Sequence, residues 1–168
     1  MKIAILSDSH DHIGNLREAV AACTARGCAA LIHCGDLISP FMLQELARFR
    51  GAIHLIHGNN LGDLLMIGDL LHSRFPFITH HGASGAIEAG GLRIAFHHYP
   101  QLGRALAASG QFDLVCCGHN HCREVAMVGT TLLVNPGELL GKDEQPGFVI
   151  VDSGDRSWET VTVGQPFR

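Results

Sequence analysis

At 168 residues, with 46% hydrophobic and 17% charged residues, the chain has the composition of a soluble globular protein and predicts one domain over 1–168. A net charge of −4, with 12 Lys+Arg against 16 Asp+Glu, excludes the basic footprint that non-specific binding to long nucleic acid or an anionic membrane requires. No apolar stretch is long enough to span a bilayer, and the run Ile3–Leu6 is too short for a signal peptide, so the expected location is the cytoplasm.

Ile3–Leu6 reads as a buried strand ending in the polar cluster Ser7–His12. Ile13, Leu16, Val20 and Cys23 recur at helical spacing, and that helix should stop near Gly27. Ala30–His33 is a second buried strand closed by Gly35-Asp36. Pro40 starts a helix carrying Phe41, Leu43, Leu46 and Phe49. Ile53–Ile56 is a third strand, closed by Gly58-Asn59-Asn60. This β-α-β-α-β order gives a parallel sheet with helices packed on it. Phe77–His81 and Leu92–Phe96 read as strands around a Gly/Ala/Ser-rich region with a turn at Gly90-Gly91, and a helix follows over Gln101–Ala108. Leu114–Cys117, Val125–Val128, Leu132–Val134, Phe148–Val151 and Thr160–Val163 are further strands, the last four expected to form a meander. The fold class is α/β: two packed mixed β-sheets, a sandwich core, flanked by helices. The apolar stretch Leu61–Leu71 suits either core or a homodimer face.

Six cysteines include no C-x-x-C pair and mostly lie in or beside apolar runs, so reduced, buried thiols are expected. The 12 histidines are more informative, because imidazole is the commonest metal ligand. Several stand where core strands end. The first strand ends in Asp8-Ser9-His10, the second in Gly35-Asp36, and the third in Gly58-Asn59. The strand from Leu92 ends in His97-His98, and that from Leu114 in Gly118-His119-Asn120-His121. Ligands of open α/β sheets bind beyond the carboxyl ends of the strands, so these donors should converge at one edge. In extended chain, residues i and i+2 point the same way, which lets Asp8/His10 and His119/His121 each aim two donors at one place. Glycines before Asp36, Asn59 and His119 allow close backbone approach. Carboxylate, imidazole and amide oxygen without thiolate suit Mn²⁺, Fe, Zn²⁺ or Ni²⁺. Each motif is weak alone; five strands ending this way at one edge point to a metal centre.

The order Asp-x-His, Gly-Asp, Gly-Asn, His, Gly-His-x-His within one short α/β chain closely resembles the calcineurin-like metallophosphoesterases. More narrowly it is similar to their small, cap-less bacterial and archaeal phosphodiesterase branch, a likeness that extends through Asn135-Pro136-Gly137. The resemblance implies a dinuclear centre. Asp8, His10, Asp36 and His121 would hold one ion, and Asp36, Asn59, His97 and His119 the other, with Asp36 bridging. It implies two divalent ions, Mn²⁺ foremost, and hydrolysis of small phosphodiesters by hydroxide held between them, with Asp36, Asn59 and His97 as the residues closest to the chemistry. Two divalent ions against Asp8, Asp36 and hydroxide leave a net charge of about +1 to attract phosphate.

The chain departs from the family pattern at three places. Asn60 stands where many relatives have a histidine; an amide cannot act as a general acid, so good leaving groups should be favoured. His97-His98-Tyr99 replaces the usual His-Gly-His, making His98 and Tyr99 either substrate contacts or packing. Cys122-Arg123 replaces an apolar-Pro pair, with Arg123 either a phosphate contact or a surface residue, and Glu138 replaces a common Ser. His12, in the loop after the first strand, is either a loop residue with no special role or part of the site rim, and specificity is assigned to the loops Leu61–Phe75 and His80–Gly91. The rival readings are a scaffold on the same fold, as in a retromer subunit, which predicts lost ligands; a DNA-end nuclease, which needs extra domains and basic surface; and a phosphomonoesterase or nucleotide pyrophosphatase on the same metals.

Overall fold

The first strand, β1 (Lys2–Leu6), is buried on both faces, and that decides its place in the architecture. Ile3 and Ile5 belong to a core between two sheets, whereas Ala4 and Leu6 belong to a core under helices. The computed structural model describes residues 1–164 and Pro166; positions 165, 167 and 168, the end of the expected 1–168 span, lie outside the described residues. In chain order β1 is followed by α1 (Ile13–Ala25), β2 (Ala30–His33), a 3₁₀ turn (Pro40–Met42), α2 (Leu43–Leu46) and β3 (Ala52–Leu55). Then come α3 (Leu64–Ser73), β4 (Ile78–His80), β5 (Ser84–Ala89), β6 (Leu92–His97) and α4 (Pro100–Ala108). The chain continues through β7 (Leu114–Cys116), β8 (Arg123–Val128), β9 (Thr131–Pro136), β10 (Gly147–Asp152) and β11 (Trp158–Thr162).

One sheet has the order β11-β10-β1-β2-β3-β4, the other β5-β6-β7-β9-β8. In the first, β1 to β4 run parallel, and β10 joins β1 antiparallel. In the second, β6, β7 and β9 run parallel with antiparallel strands on both edges. The sheets face each other through Ile3, Ile5, Ile32, Ile94, Phe96, Leu114, Val134 and Val149, while α4 covers the far side of the second sheet through Ala95, Ala107, Val115 and Leu133. Two mixed sheets flanked by four helices is the architecture expected from the sequence.

Three local expectations are corrected. The span Leu61–Phe75 contains α3, whose Asp63 side chain caps Met66 N at 2.9 Å and whose Ile67 and Leu71 reach the core. The Ser84–Ala89 stretch is an edge strand paired with β6. The last four strands are not one meander. β8 and β9 pair in one sheet, but the chain then crosses to the other, where β10 docks on β1. Strand β10 is apolar on both faces, so it is stable only as an interior strand covered on both sides, and the place beside β1 provides that. The crossing segment passes the site and brings Glu138 into it. All six cysteines are free thiols, and only Cys122 is exposed. Among the described residues no helix is long and apolar enough to cross a membrane.

Candidate metal centre

Five strands, β1, β2 and β3 from one sheet and β6 and β7 from the other, end at one edge, and the segments that follow carry the donors. The backbone there is unusual. Asp8, His10, Asp36, His119 and His121 have φ of 52°, 40°, 55°, 74° and 60°. Non-glycine residues rarely adopt this left-handed region, and each instance costs on the order of 1 kcal/mol. The strain is held by cross-links between the loops. Asp8 N donates to Gly35 O at 3.1 Å, and His10 N to Asp36 O at 3.0 Å. Gly118 N donates to His98 O at 2.9 Å, and His119 N to Asp8 Oδ2 at 2.9 Å. Asn135, buried near the end of β9, donates from Nδ2 to Gly118 O at 2.9 Å and to Asn120 Oδ1 at 2.8 Å, bracing the His119–His121 loop.

Two groups of donors meet at Asp36. On one side Asp8 Oδ1 lies 3.6 Å from His10 Nε2 and 3.6 Å from His121 Nε2, and His10 Nε2 lies 3.5 Å from Asp36 Oδ2. On the other, Asp36 Oδ2 lies 3.5 Å from His98 Nε2, which is 3.0 Å from Asn59 Oδ1; that oxygen is 2.7 Å from His119 Nδ1. Two donors sharing an ion at bonds of about 2.1 Å stand roughly 3.0–3.5 Å apart, close to the spacings seen here. Asp8 Oδ1 and His10 Nε2 are buried without a hydrogen-bond partner, which is costly unless something else binds them. A divalent ion would complete both, and the residues present fit one.

Electrostatics in the metal-free chain agree. Burial opposes ionisation of Asp8 and Asp36, yet His10 and Ser7 around Asp8, and His98 and Asn60 around Asp36, hold both carboxyls below their usual range. Burial disfavours protonated His10 and His98, but the neighbouring carboxylates outweigh it and raise both. The site is therefore built to gather positive charge.

Six of the seven expected ligands, Asp8, His10, Asp36, Asn59, His119 and His121, come together; His97 does not. Its ring is half-buried, its Nδ1 accepts from Tyr99 N at 3.1 Å, and it lines an outer groove with Leu102 and Leu106. His98, a candidate substrate contact from sequence, occupies that place instead, with Nδ1 2.8 Å from Cys34 O. The cause is strand alternation: Leu92, Ile94 and Phe96 face the opposite sheet, so His98 follows them while His97 follows Ala95 toward α4. Among the other candidates, Asn60 binds Asp36 through its backbone N at 2.8 Å and its Nδ2 at 2.6 Å. Tyr99 stands beside the site, its ring centroid 4.7 Å from that of His119. Arg123 is turned away, donating to Pro136 O and Gln145 O. His12 caps α1, its Nδ1 accepting from Asn15 N. Sequence reasoning missed the position of Glu138, whose buried Oε2 lies 2.7 Å from His121 Nδ1.

Comparison with known proteins identifies the family and the fold. Residues 1–156 match the family described as the calcineurin-like phosphoesterase superfamily domain. The chain is 32% identical over 142 residues to phosphodiesterase MJ0936 of Methanocaldococcus jannaschii, covering 84% of this chain and 86% of that protein. It superposes on the solved structure of an archaeal phosphodiesterase with a TM-score of 0.89 at 28% identity, over 97% of this chain and 100% of the other. The fold is shared more distantly with Vps29 of Cryptosporidium parvum, with a TM-score of 0.67, 14% identity and 96% of each chain covered.

Proposed function

Because the chain belongs to the calcineurin-like phosphoesterase superfamily and is a hydrolase of phosphate esters, we propose that it is a dinuclear metal-dependent phosphodiesterase acting on small phosphodiesters. The observation that carries this reading is the meeting of two donor groups at Asp36 Oδ2, which is 3.5 Å from both His10 Nε2 and His98 Nε2. Asp8, His10, Asp36 and His121 would hold one ion; Asp36, Asn59, His98 and His119 the other, with Mn²⁺ the expected metal. Bound there, the ions supply Lewis acidity toward the phosphoryl oxygens and acidify water near neutral pH.

The chain's own residues set the charge and shape. Asp8 and Asp36 contribute −2 against the +4 of two divalent ions, and Asn59 coordinates without adding charge, so the site stays cationic and attracts a phosphate anion. Asn60 keeps Asp36 ionised and oriented but cannot protonate a departing alkoxide, which favours acidic leaving groups. Tyr99 presents an aromatic wall beside His119 and His98 against which a substrate's flat group can pack.

The test is hydrolysis of bis(p-nitrophenyl) phosphate by chelator-treated protein before and after adding Mn²⁺, with p-nitrophenyl phosphate in parallel and His98→Ala as control. Metal-restored diester cleavage that is lost in the variant is the expected result. Faster cleavage of the monoester would replace the diesterase by a phosphomonoesterase. Absence of both activities in folded, metal-loaded protein would sink the catalytic reading with these substrates.

A further inference from the structure

We infer that Glu138 is a positioning residue that fixes the tautomer of His121 and thereby prepares its Nε2 to receive an ion. The inference rests on the dinuclear reading and adds to it a carboxylate that is not itself a ligand. Glu138 is wholly buried, and its two oxygens have separate tasks. Oε1 accepts from the backbone N of Asp143 and, at 2.9 Å, from the backbone N of Glu144. Oε2 stands 2.7 Å from His121 Nδ1, and neither of those two atoms has an aligned hydrogen-bond partner elsewhere. The contact is of hydrogen-bond length, though its alignment is not that of a straight hydrogen bond.

The opposite nitrogen of the same ring, Nε2, points at Asp8 Oδ1, 3.6 Å away. A neutral imidazole carries its proton on one nitrogen and its lone pair on the other. A carboxylate can only accept, so Oε2 selects the Nδ1–H form and leaves the Nε2 lone pair facing Asp8. Carboxylates behind ligating histidines act this way in metal sites generally, and their loss weakens binding about 10- to 100-fold. The carboxylate is held independently of the ring. Leu139 N donates to Ser7 O at 3.1 Å, and Leu140 N to Asp8 O at 3.0 Å, so the segment behind His121 is tied to the same loop as Asp8. Asn15 Nδ2 donates to Leu139 O at 2.7 Å and ties the segment to α1.

Glu138→Gln is the informative change because the surroundings dictate its amide orientation. The backbone donors of Asp143 and Glu144 require an acceptor, so the carbonyl oxygen must take the Oε1 place and the NH₂ must face His121 Nδ1. A donor there enforces the Nε2–H form, which removes the lone pair. The experiment combines Mn²⁺ titration calorimetry on native and Glu138→Gln protein with ¹⁵N–¹H correlation spectra of the imidazoles in the metal-free state. The thermal midpoint in chelator serves to establish folding.

The expected result is a folded variant in which one of two Mn²⁺ binding steps weakens about 10- to 100-fold. His121 should carry its proton on Nδ1 in native protein and on Nε2 in the variant. Equal Mn²⁺ affinity in both proteins would overturn the inference and leave the dinuclear reading standing. No Mn²⁺ binding by native protein would overturn both. A third ion, lost in the variant and held by His121, Glu138 and Asp143, would make Glu138 a ligand and also overturn it. Should the variant not fold, an Nε2–H tautomer at His121 of the native, metal-free protein would overturn it alone.

Discussion

Asp36 Oδ2 and His98 Nε2 meet at 3.5 Å although Asp36 follows a strand of one sheet and His98 a strand of the other. The centre is thus a product of sheet docking, sealed by Ile32, Phe96 and Cys116 just behind it. Loss of the imidazole should empty one half of the site. His98→Ala is expected to lower Mn²⁺-dependent diester hydrolysis (kcat/KM) by about 100-fold or more. His97→Ala, whose ring faces the α4 side, should stay close to native. Equal losses in the two variants would contradict the assignment.

The sequence carried the donors and their edge, because short apolar strands ending in Asp, Asn and His are local signals. That six of the seven expected donors come together at one edge needed nothing more than strand ends and glycine punctuation. The choice between His97 and His98 was also decidable. The alternation Leu92, Ile94, Phe96 against Arg93, Ala95 points to His98, whereas motif spacing alone favoured the first histidine. Glu138 was not legible. Its approach to His121 depends on the chain changing sheets between β9 and β10, a long-range pairing with β1 that no local pattern announces. Likewise α3 stayed hidden because its exposed Leu65 and Met66 blur the apolar stripe that identifies a helix.

Gly58→Ala should damage the centre without touching a ligand. A Cβ there would stand 2.1 Å from Asp36 Oδ1 and 2.8 Å from Asp36 N, so the Asp36 carboxylate or its loop must shift. The strain amounts to about 1–3 kcal/mol of stability. Mn²⁺ affinity and diester hydrolysis should fall together, read by calorimetry and by release of p-nitrophenolate. Native affinity with a native thermal midpoint would show that Asp36 can move at no cost.

Asn135→Ala should loosen the His119–His121 loop. The amide makes two donations and also accepts from Gly137 N at 3.1 Å, with only the contact to Asn120 partly open to solvent. Its removal is expected to cost about 2–3 kcal/mol, measured by urea unfolding in chelator. Asn135→Asp should cost at least as much. It keeps the acceptor for Gly137 but turns a carboxylate toward Gly118 O and Asn120 Oδ1, which are themselves acceptors. A milder effect for Asp than for Ala would mean that the Gly137 contact, not the loop brace, is what matters.

Acid should weaken the metal-free fold partly through His33. The ring lies wholly buried beneath the site with Nε2 3.2 Å from Ser9 Oγ, and burial away from water pulls its pKa down to about 4 from 6.5. Above pH 6.5 the ring is neutral whether the chain is folded or not. Between 6.5 and 4 the unfolded chain binds a proton that the folded chain refuses, so stability falls as pH falls through this window. Below it the loss is complete, about 3 kcal/mol at most from this one group. His33→Gln keeps a hydrogen-bonding partner for Ser9 but cannot titrate. Urea unfolding in chelator from pH 7 to pH 4 should therefore show a slope shallower by roughly one proton in the variant. Parallel slopes would mean that His33 is protonated in the fold, with Asp8 and Asp36 attracting the proton more strongly than burial repels it.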